Sequence, residues 1–188
     1  EQVKLVDAFL NEMGIGKIAL VGHGLGALVA MKFAIRYRQS VDRVMAINCP
    51  INYEAVNSRL RTAAPPELSD WLSNRSPEAL TALSDAPKAD AKAIADSLTG
   101  LQTDNLFRDF RSMDVPCLMV YGEKDQAITV PSYDVVTSTY THPIVLEGSG
   151  HFPMIDETIK FNRLLTDFLA LPSGVSPSEL QMKEDWKR

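Results

Sequence analysis

The apolar positions in the first fifty residues switch between helical and strand spacing. Apolar side chains three or four residues apart predict a helix that ends near Gly14. Residues 17–22 form an uninterrupted apolar run, which is typical of a strand buried on both faces of a parallel sheet. Residues 25–38 predict a largely buried helix, and residues 42–48 predict a second strand. This alternation indicates an α/β fold with helices flanking a parallel sheet.

The pattern changes after residue 50. From residue 51 to residue 113 there is no strand-like run, only helical pieces separated by helix breakers. Ser76 and Pro77 predict the start of one of these helices, because a hydroxyl cap followed by proline favours a helix N-terminus. We interpret residues 51–113 as a helical insertion that forms a cap, or lid, over the sheet.

Strand and helix patterns alternate again in the last third of the chain. Residues 115–121 and 143–147 predict two more strands, and residues 130–140 predict a helix between them. Asp156 is expected to cap a strongly amphipathic final helix. The predicted organisation is a core made of residues 1–50 and 114–171, the helical insertion, and a C-terminal segment, residues 172–188, that is a surface tail or disordered.

Composition and charge narrow the range of partners. Of the 188 residues, 45% are hydrophobic and 23% are charged, and the formal net charge is −5. The basic residues are scattered, so we expect no nucleic-acid partner. The apolar runs are too short to cross a bilayer, so we expect no membrane span. Two cysteines cannot form a disulfide scaffold, which favours a reducing, cytoplasmic compartment.

The chain begins at Glu1, without Met and inside a predicted helix, which indicates a piece of a longer protein. The sequence leaves open whether a signal peptide lies upstream of Glu1. If nothing precedes Glu1, the strand at residues 17–21 becomes an uncovered hydrophobic sheet edge. Such edges pair with other chains, so we expect this fragment to associate with itself.

A glycine-rich turn joins the first predicted strand to the helix after it. Gly22, Gly24 and Ala27 fit the dinucleotide-binding pattern G-x-G-x-x-G/A, in which a pyrophosphate approaches a helix N-terminus. Gly22 and Gly26 also match the outer glycines of the nucleophile elbow, G-x-S-x-G, with Gly24 at the serine position. A third interpretation is a turn that serves only close packing of helix against strand.

Two residues further along the chain favour the elbow. A dinucleotide site requires an acid at the end of the second strand, where this chain has Asn48. An elbow requires an acid and then a histidine after later strands. Asp125 follows the third predicted strand and His151 follows the fourth. The carboxyl ends of parallel strands meet at one edge of a sheet, so we expect Gly24, Asp125 and His151 to lie together.

With these motifs in order, the chain resembles the α/β-hydrolase family over residues 1–171. The resemblance rests on residues 22–27, 122–125 and 148–153. It implies that position 24 is the nucleophile site, Asp125 the triad acid and His151 the triad base. It also implies that the backbone N–H of Leu25 is an oxyanion-hole donor, and that further strands and the second donor lie upstream of Glu1. The implied activity is hydrolysis of an ester or similar small apolar substrate, without a cofactor.

Gly24 departs from the family pattern, since glycine has no hydroxyl to attack a carbonyl. Three explanations stay open. The serine was replaced or misread in an otherwise intact enzyme, the chain is a natural pseudoenzyme that binds a small apolar ligand under the lid, or His151 and Asp125 activate a water in the vacated space. His23 is expected to be a structural residue or a pocket-wall residue, and in the second case it would contact the substrate. No metal site is expected, because the histidines lack ligand spacing.

Overall fold

The computed structural model describes residues 1–103 and 106–180, apart from the side chains of Ala82, Thr103 and Phe107. The last part of the predicted C-terminal segment, residues 181–188, lies outside the described residues. Within residues 172–180, Pro177 is buried and Leu180 packs against a core cluster.

A four-stranded parallel sheet carries the fold, and its strands neighbour one another in sequence order. The strands are β1 (Ile18–His23), β2 (Val41–Ile47), β3 (Cys117–Gly122) and β4 (Thr141–Leu146). The predicted α/β class with a parallel sheet is confirmed. All four carboxyl ends therefore lie at the same edge of the sheet.

Helices cover both faces of this sheet. They are α1 (Gln2–Glu12), α2 (Leu25–Arg36), α3 (Arg59–Thr62), α4 (Pro65–Leu72), α5 (Pro77–Asp85), α6 (Ala91–Gly100), α7 (Leu106–Ser112), α8 (Tyr133–Val136), α9 (Pro153–Asp156) and α10 (Thr158–Ala170). Helices α3 to α7 all lie between β2 and β3 in sequence, within the predicted helical insertion. Among the described residues, no helix has the length and apolar character needed to cross a membrane.

Alternate side chains of the central strands enter two separate hydrophobic clusters. Val44 and Met119 belong to the larger cluster, with α1, α2 and helices of the insertion. Met45 and Leu118 point to the opposite face and pack against α10. Because both faces are covered, β2 and β3 are apolar runs rather than alternating patterns. Cys49 and Cys117 are free and buried.

Two predicted helix boundaries are confirmed by capping hydrogen bonds. At the end of α1, the Ile15 N–H donates to the Leu10 carbonyl at 2.9 Å, in the pattern expected around Gly14. At the start of α5, the Ala79 N–H donates to Ser76 Oγ at 3.2 Å, and Pro77 occupies the first helical position.

Two other helix predictions are wrong. The helix predicted over residues 130–140 contains only the single turn Tyr133–Val136, after which the chain becomes extended. This segment is rich in β-branched residues, which lower helix propensity. Asp156 does not cap α10, which begins after Glu157. Its Oδ2 instead accepts a hydrogen bond from the Gly150 N–H at 2.8 Å.

The burial of strand β1 differs from the prediction, because this strand lies at an edge of the described sheet. Ile18 and Leu20 pack against the larger cluster, as expected. Ala19 and Val21 point to the other face, where Val21 is 47% exposed. The prediction that both faces of this strand are buried is therefore wrong for this chain.

Candidate active site

The glycine-rich turn between β1 and α2 places Gly24 at the carboxyl edge of the sheet. Gly24 has φ 57° and ψ −119°, a left-handed conformation that strongly favours glycine. Its N–H donates to the Ile47 carbonyl at 2.8 Å, which ties the turn to the end of β2. Leu25, the expected oxyanion donor, is the first residue of α2 and lines the cavity beside Gly24.

The two glycines that flank Gly24 have different packing. A Cβ on Gly22 would lie 2.4 Å from the carbonyl oxygen of Gly26, a distance that the backbone cannot accommodate without moving. Strand and helix approach closely because residue 22 lacks a side chain. A Cβ on Gly26 would meet nothing within 4 Å. Only the first outer glycine is therefore required sterically in the described chain.

Asp125 and His151 come together as the sequence predicts. His151 Nδ1 donates to Asp125 Oδ2 at 2.9 Å and lies 3.1 Å from Oδ1. The Asp125 side chain is fully buried, and its Oδ1 also accepts a hydrogen bond from the Ala127 N–H at 2.7 Å. Because a carboxylate only accepts, Nδ1 is the nitrogen that carries the proton of this hydrogen bond, and in the uncharged imidazole with this tautomer Nε2 is an acceptor.

His151 Nε2 faces residue 24. A Cβ at position 24 would lie 3.9 Å from this nitrogen, in ordinary van der Waals contact. A hydroxyl attached to such a Cβ could approach Nε2 within hydrogen-bond distance. Positions 24, 151 and 125 are therefore arranged as a nucleophile site, a base and an acid would be. Gly24 itself offers no group that can attack a substrate.

His23 packs beside the His151 ring, with 4.6 Å between the ring centroids. Its Nε2 donates to the carbonyl oxygen of His151 at 2.6 Å. Burial, together with the neighbouring His151, lowers the pKa of His23 from its usual 6.5 to about 4. His23 also lines the cavity, as expected of a wall residue, and it is neutral at pH 7.

The low pKa of His23 predicts a specific loss of stability in acid. Between pH 6.5 and 4 the unfolded chain binds a proton at residue 23 and the folded chain does not. This contribution is fully present above pH 6.5, and lowering the pH to 4 should reduce the free energy of unfolding by about 3 kcal/mol. Urea denaturation across this pH range measures it. His23→Gln should lack this component, and an identical pH dependence in that variant would contradict the prediction.

Asn48 is a site residue that the sequence analysis did not single out. It follows β2, is completely buried, and has a positive φ of 47°. Its Nδ2 donates to the carbonyl of His151 at 2.8 Å and to that of Gly150 at 3.3 Å. Its Oδ1 accepts from the Gly122 N–H at 2.9 Å. The available signal was an amide side chain directly after a buried strand, at the edge where ligands bind.

A cavity of about 300 Å³ opens over Gly24 and His151 and extends beneath the helices between β2 and β3. Most of its lining is apolar and comes from these helices and the segments that connect them: Val56, Leu60, Pro65, Leu68, Leu72, Ala86, Ala89, Ile94 and Leu98. Among the residues that the structure describes, no Lys, Arg, Asp or Glu side chain lines it. The polar groups are concentrated at its floor, where His23, Asn48 and His151 lie.

A family model described as "Alpha/beta hydrolase family" matches residues 1–163. The chain belongs to the α/β-hydrolase family. Among the described residues, no group of three or more His, Cys, Asp or Glu side chains is arranged to hold a metal ion.

Curated relatives of this α/β-hydrolase chain are distant. An uncharacterized protein of Mycobacterium bovis is 26% identical, and the match covers 85% of this chain and 58% of that protein. A putative carbamate hydrolase of Enterobacter cloacae is 24% identical, with 86% and 69% covered. The chain thus spans little more than half the length of the mycobacterial relative.

Solved structures of α/β hydrolases have the same fold. An enol-lactonase from Burkholderia xenovorans superposes with a TM-score of 0.75 at 19% identity, covering 90% of this chain and 72% of that one. E-2-(acetamidomethylene)succinate hydrolase gives a TM-score of 0.72 at 20% identity, with 90% and 72% covered. At these identities the likeness concerns the fold.

Proposed function

We propose that this chain carries the acid and base of a hydrolase site for acyl transfer to water, with Gly24 at the nucleophile position. The observation that carries the proposal is the alignment of Asp125, His151 Nε2 and the Cβ direction of residue 24. As it stands, the chain forms no acyl-enzyme. It is inactive or nearly so toward esters.

Each residue has a defined part in the proposed chemistry. With a serine at position 24, His151 Nε2 would take the hydroxyl proton while the oxygen attacks the ester carbonyl. Asp125 would stay ionised, holding the imidazole and stabilising its protonated form. The Leu25 N–H would stabilise the oxyanion, and His151 would return the proton to the departing alcohol. Water would then release the acid by the same steps.

The experiment that tests this proposal is the Gly24→Ser substitution followed by assays with p-nitrophenyl esters of short acyl chains. The unchanged chain should give only the background rate. A burst of p-nitrophenol from the serine variant, equal to the concentration of folded protein, would indicate an acyl-enzyme at residue 24. A folded serine variant with the same rate as the unchanged chain would contradict the proposal.

A second candidate function is non-catalytic binding of a small apolar ligand, favoured by the uncharged lining of the cavity. Residues 51–113, which include helices α3 to α7, would act as its lid. We expect methyl benzoate to bind and benzoate to bind at least about tenfold more weakly, because no Lys or Arg among the described lining residues compensates for burying the carboxylate. Calorimetric titration measures both, and equal affinities or no saturable binding of either would contradict the expectation.

A matched pair of variants checks that this preference arises in the cavity. Leu72 lines the cavity, whereas Leu80 is 53% exposed and does not line it. Leu72→Arg should shift the preference toward benzoate, since it supplies a partner for the carboxylate. Leu80→Arg adds the same charge elsewhere and should leave the ratio of the two affinities unchanged.

We also propose that the isolated chain associates with itself through β1. This strand is at the sheet edge, and Leu5, Phe9 and Met13 of the nearby α1 are largely exposed. Sedimentation velocity should show dimers or larger species that decrease on Val21→Lys, which places a charge on the open face of β1. Leu80→Lys is the control and should not change them. A stable monomer at all concentrations would contradict this proposal.

A further inference from the structure

The backbone carbonyl of His151 accepts two side-chain hydrogen bonds. Asn48 Nδ2 donates at 2.8 Å from the end of β2, and His23 Nε2 donates at 2.6 Å from the end of β1. Neither donor contacts the imidazole nitrogens of His151 in the described hydrogen bonds. They hold the backbone from which the imidazole projects.

Asn48 also connects this carbonyl to the strand that leads to Asp125. Its Oδ1 accepts the Gly122 N–H at the end of β3, while its Nδ2 serves the Gly150 and His151 carbonyls. One amide group therefore links the ends of β2 and β3 with the loop that carries His151. An aspartate of the same shape could accept from Gly122 but could not donate to the two carbonyls.

The backbone of Asn48 supports a specialised role. Positive φ is uncommon for residues other than glycine and is tolerated best by Asn and Asp. Here the left-handed conformation occurs with a fully buried side chain whose oxygen and nitrogen both have partners. Unusual backbone of this kind concentrates at functional sites, where the surrounding structure maintains it.

We propose that Asn48 and His23 are positioning residues that fix His151 between Asp125 and residue 24 by clamping its carbonyl. This inference rests on the proposed function of His151 as base. The clamp sets where the 148–152 loop lies, and thereby the 2.9 Å contact from Nδ1 to Asp125 and the direction of Nε2. Without these two hydrogen bonds, the 148–152 loop can shift while the sheet stays folded.

The first test uses the chain with Gly24 in place and follows the Nδ1–H proton of His151 by NMR. Asn48→Gly keeps a backbone that accepts positive φ and removes the amide. His23→Phe keeps an aromatic ring and removes the donor. Each should shift or broaden the Nδ1–H resonance through exchange with water. His23→Gln, which restores an N–H, should retain it, as should His142→Gln, a substitution elsewhere on the sheet.

The second test adds the same substitutions to the Gly24→Ser variant. Because misplacement of a catalytic group by about 1 Å can cost about 100-fold, kcat should fall about 10- to 100-fold with little change in KM. His23→Gln should recover most of the rate lost in His23→Phe. A general loss of structure would instead lower the thermal midpoint and the amount of active protein.

The outcomes separate this inference from the proposed function. Folded Asn48→Gly and His23→Phe variants with an unchanged Nδ1–H resonance and unchanged kcat would overturn the clamp. If Asn48→Gly fails to fold, the comparison of His23→Phe with His23→Gln decides. If Gly24→Ser shows no activity, the proposed function fails, and the NMR comparison still decides the clamp.

Discussion

Gly24→Ser is expected to raise the rate of p-nitrophenyl ester hydrolysis by at least about 10³-fold over the unchanged chain. In serine hydrolases the loss of the nucleophile alone costs about as much as the loss of the whole triad, because the three residues act as a unit. Here Asp125 and His151 are already in contact at 2.9 Å, and Nε2 faces position 24. A hydroxyl at position 24 would therefore complete the triad.

The cost to stability of this substitution is small compared with the gain in rate. Any side chain at position 24 must adopt φ near 57°, which costs about 1 to 3 kcal/mol for residues other than glycine. The space itself is sufficient, since the closest atom to an added Cβ is His151 Nε2 at 3.9 Å. Thermal unfolding of the variant measures this cost directly.

Three control variants isolate the chemistry. Gly24→Ala introduces the same backbone strain and the same Cβ without a hydroxyl, and it should stay at the background rate. His151→Gln and Asp125→Asn, each combined with Gly24→Ser, should remove most of the gained activity. If the serine variant keeps its activity without His151, the nucleophile is not activated by the residue that we assign as base.

The sequence predicts the principal site residues because parallel strands all end at one edge. Gly24, Asp125 and His151 each follow an apolar run, so the strand assignments alone bring them together, and the structure places them in contact or facing one another. Hydrophobic runs are strong signals, since β2 and β3 are buried on both faces.

The features that the sequence does not reveal depend on tertiary contacts. The role of Asn48 requires the Gly122 N–H and the carbonyl of His151 to converge on one amide, which no local pattern encodes. Aspartate is a residue type favoured at helix N-caps, but the Asp156 carboxylate accepts hydrogen bonds from the Gly150 N–H and from Asn74 Nδ2 instead. Residues 130–140 have helical spacing of apolar side chains, yet their β-branched composition and tertiary context leave a single turn.

Gly22→Ala is expected to destabilise the fold by about 3 kcal/mol, the largest effect on stability that we predict for a single methyl group. The added Cβ would lie 2.4 Å from the Gly26 oxygen, 2.6 Å from its carbonyl carbon and 2.7 Å from the Ala27 nitrogen. All three atoms belong to the backbone of α2, so no rotamer change relieves the clash. The strand and helix must separate, which would also move the turn that carries Gly24.

Gly26→Ala is the matched control in the same turn. Its Cβ would meet nothing within 4 Å, and residue 26 lies inside α2, where alanine is favoured over glycine by up to about 1 kcal/mol. Urea denaturation should therefore show a large loss of stability for Gly22→Ala and no loss for Gly26→Ala. Equal losses of stability would contradict the steric explanation. They would mean that both glycines are needed for the backbone conformation of the turn, and not for the close approach of β1 to α2.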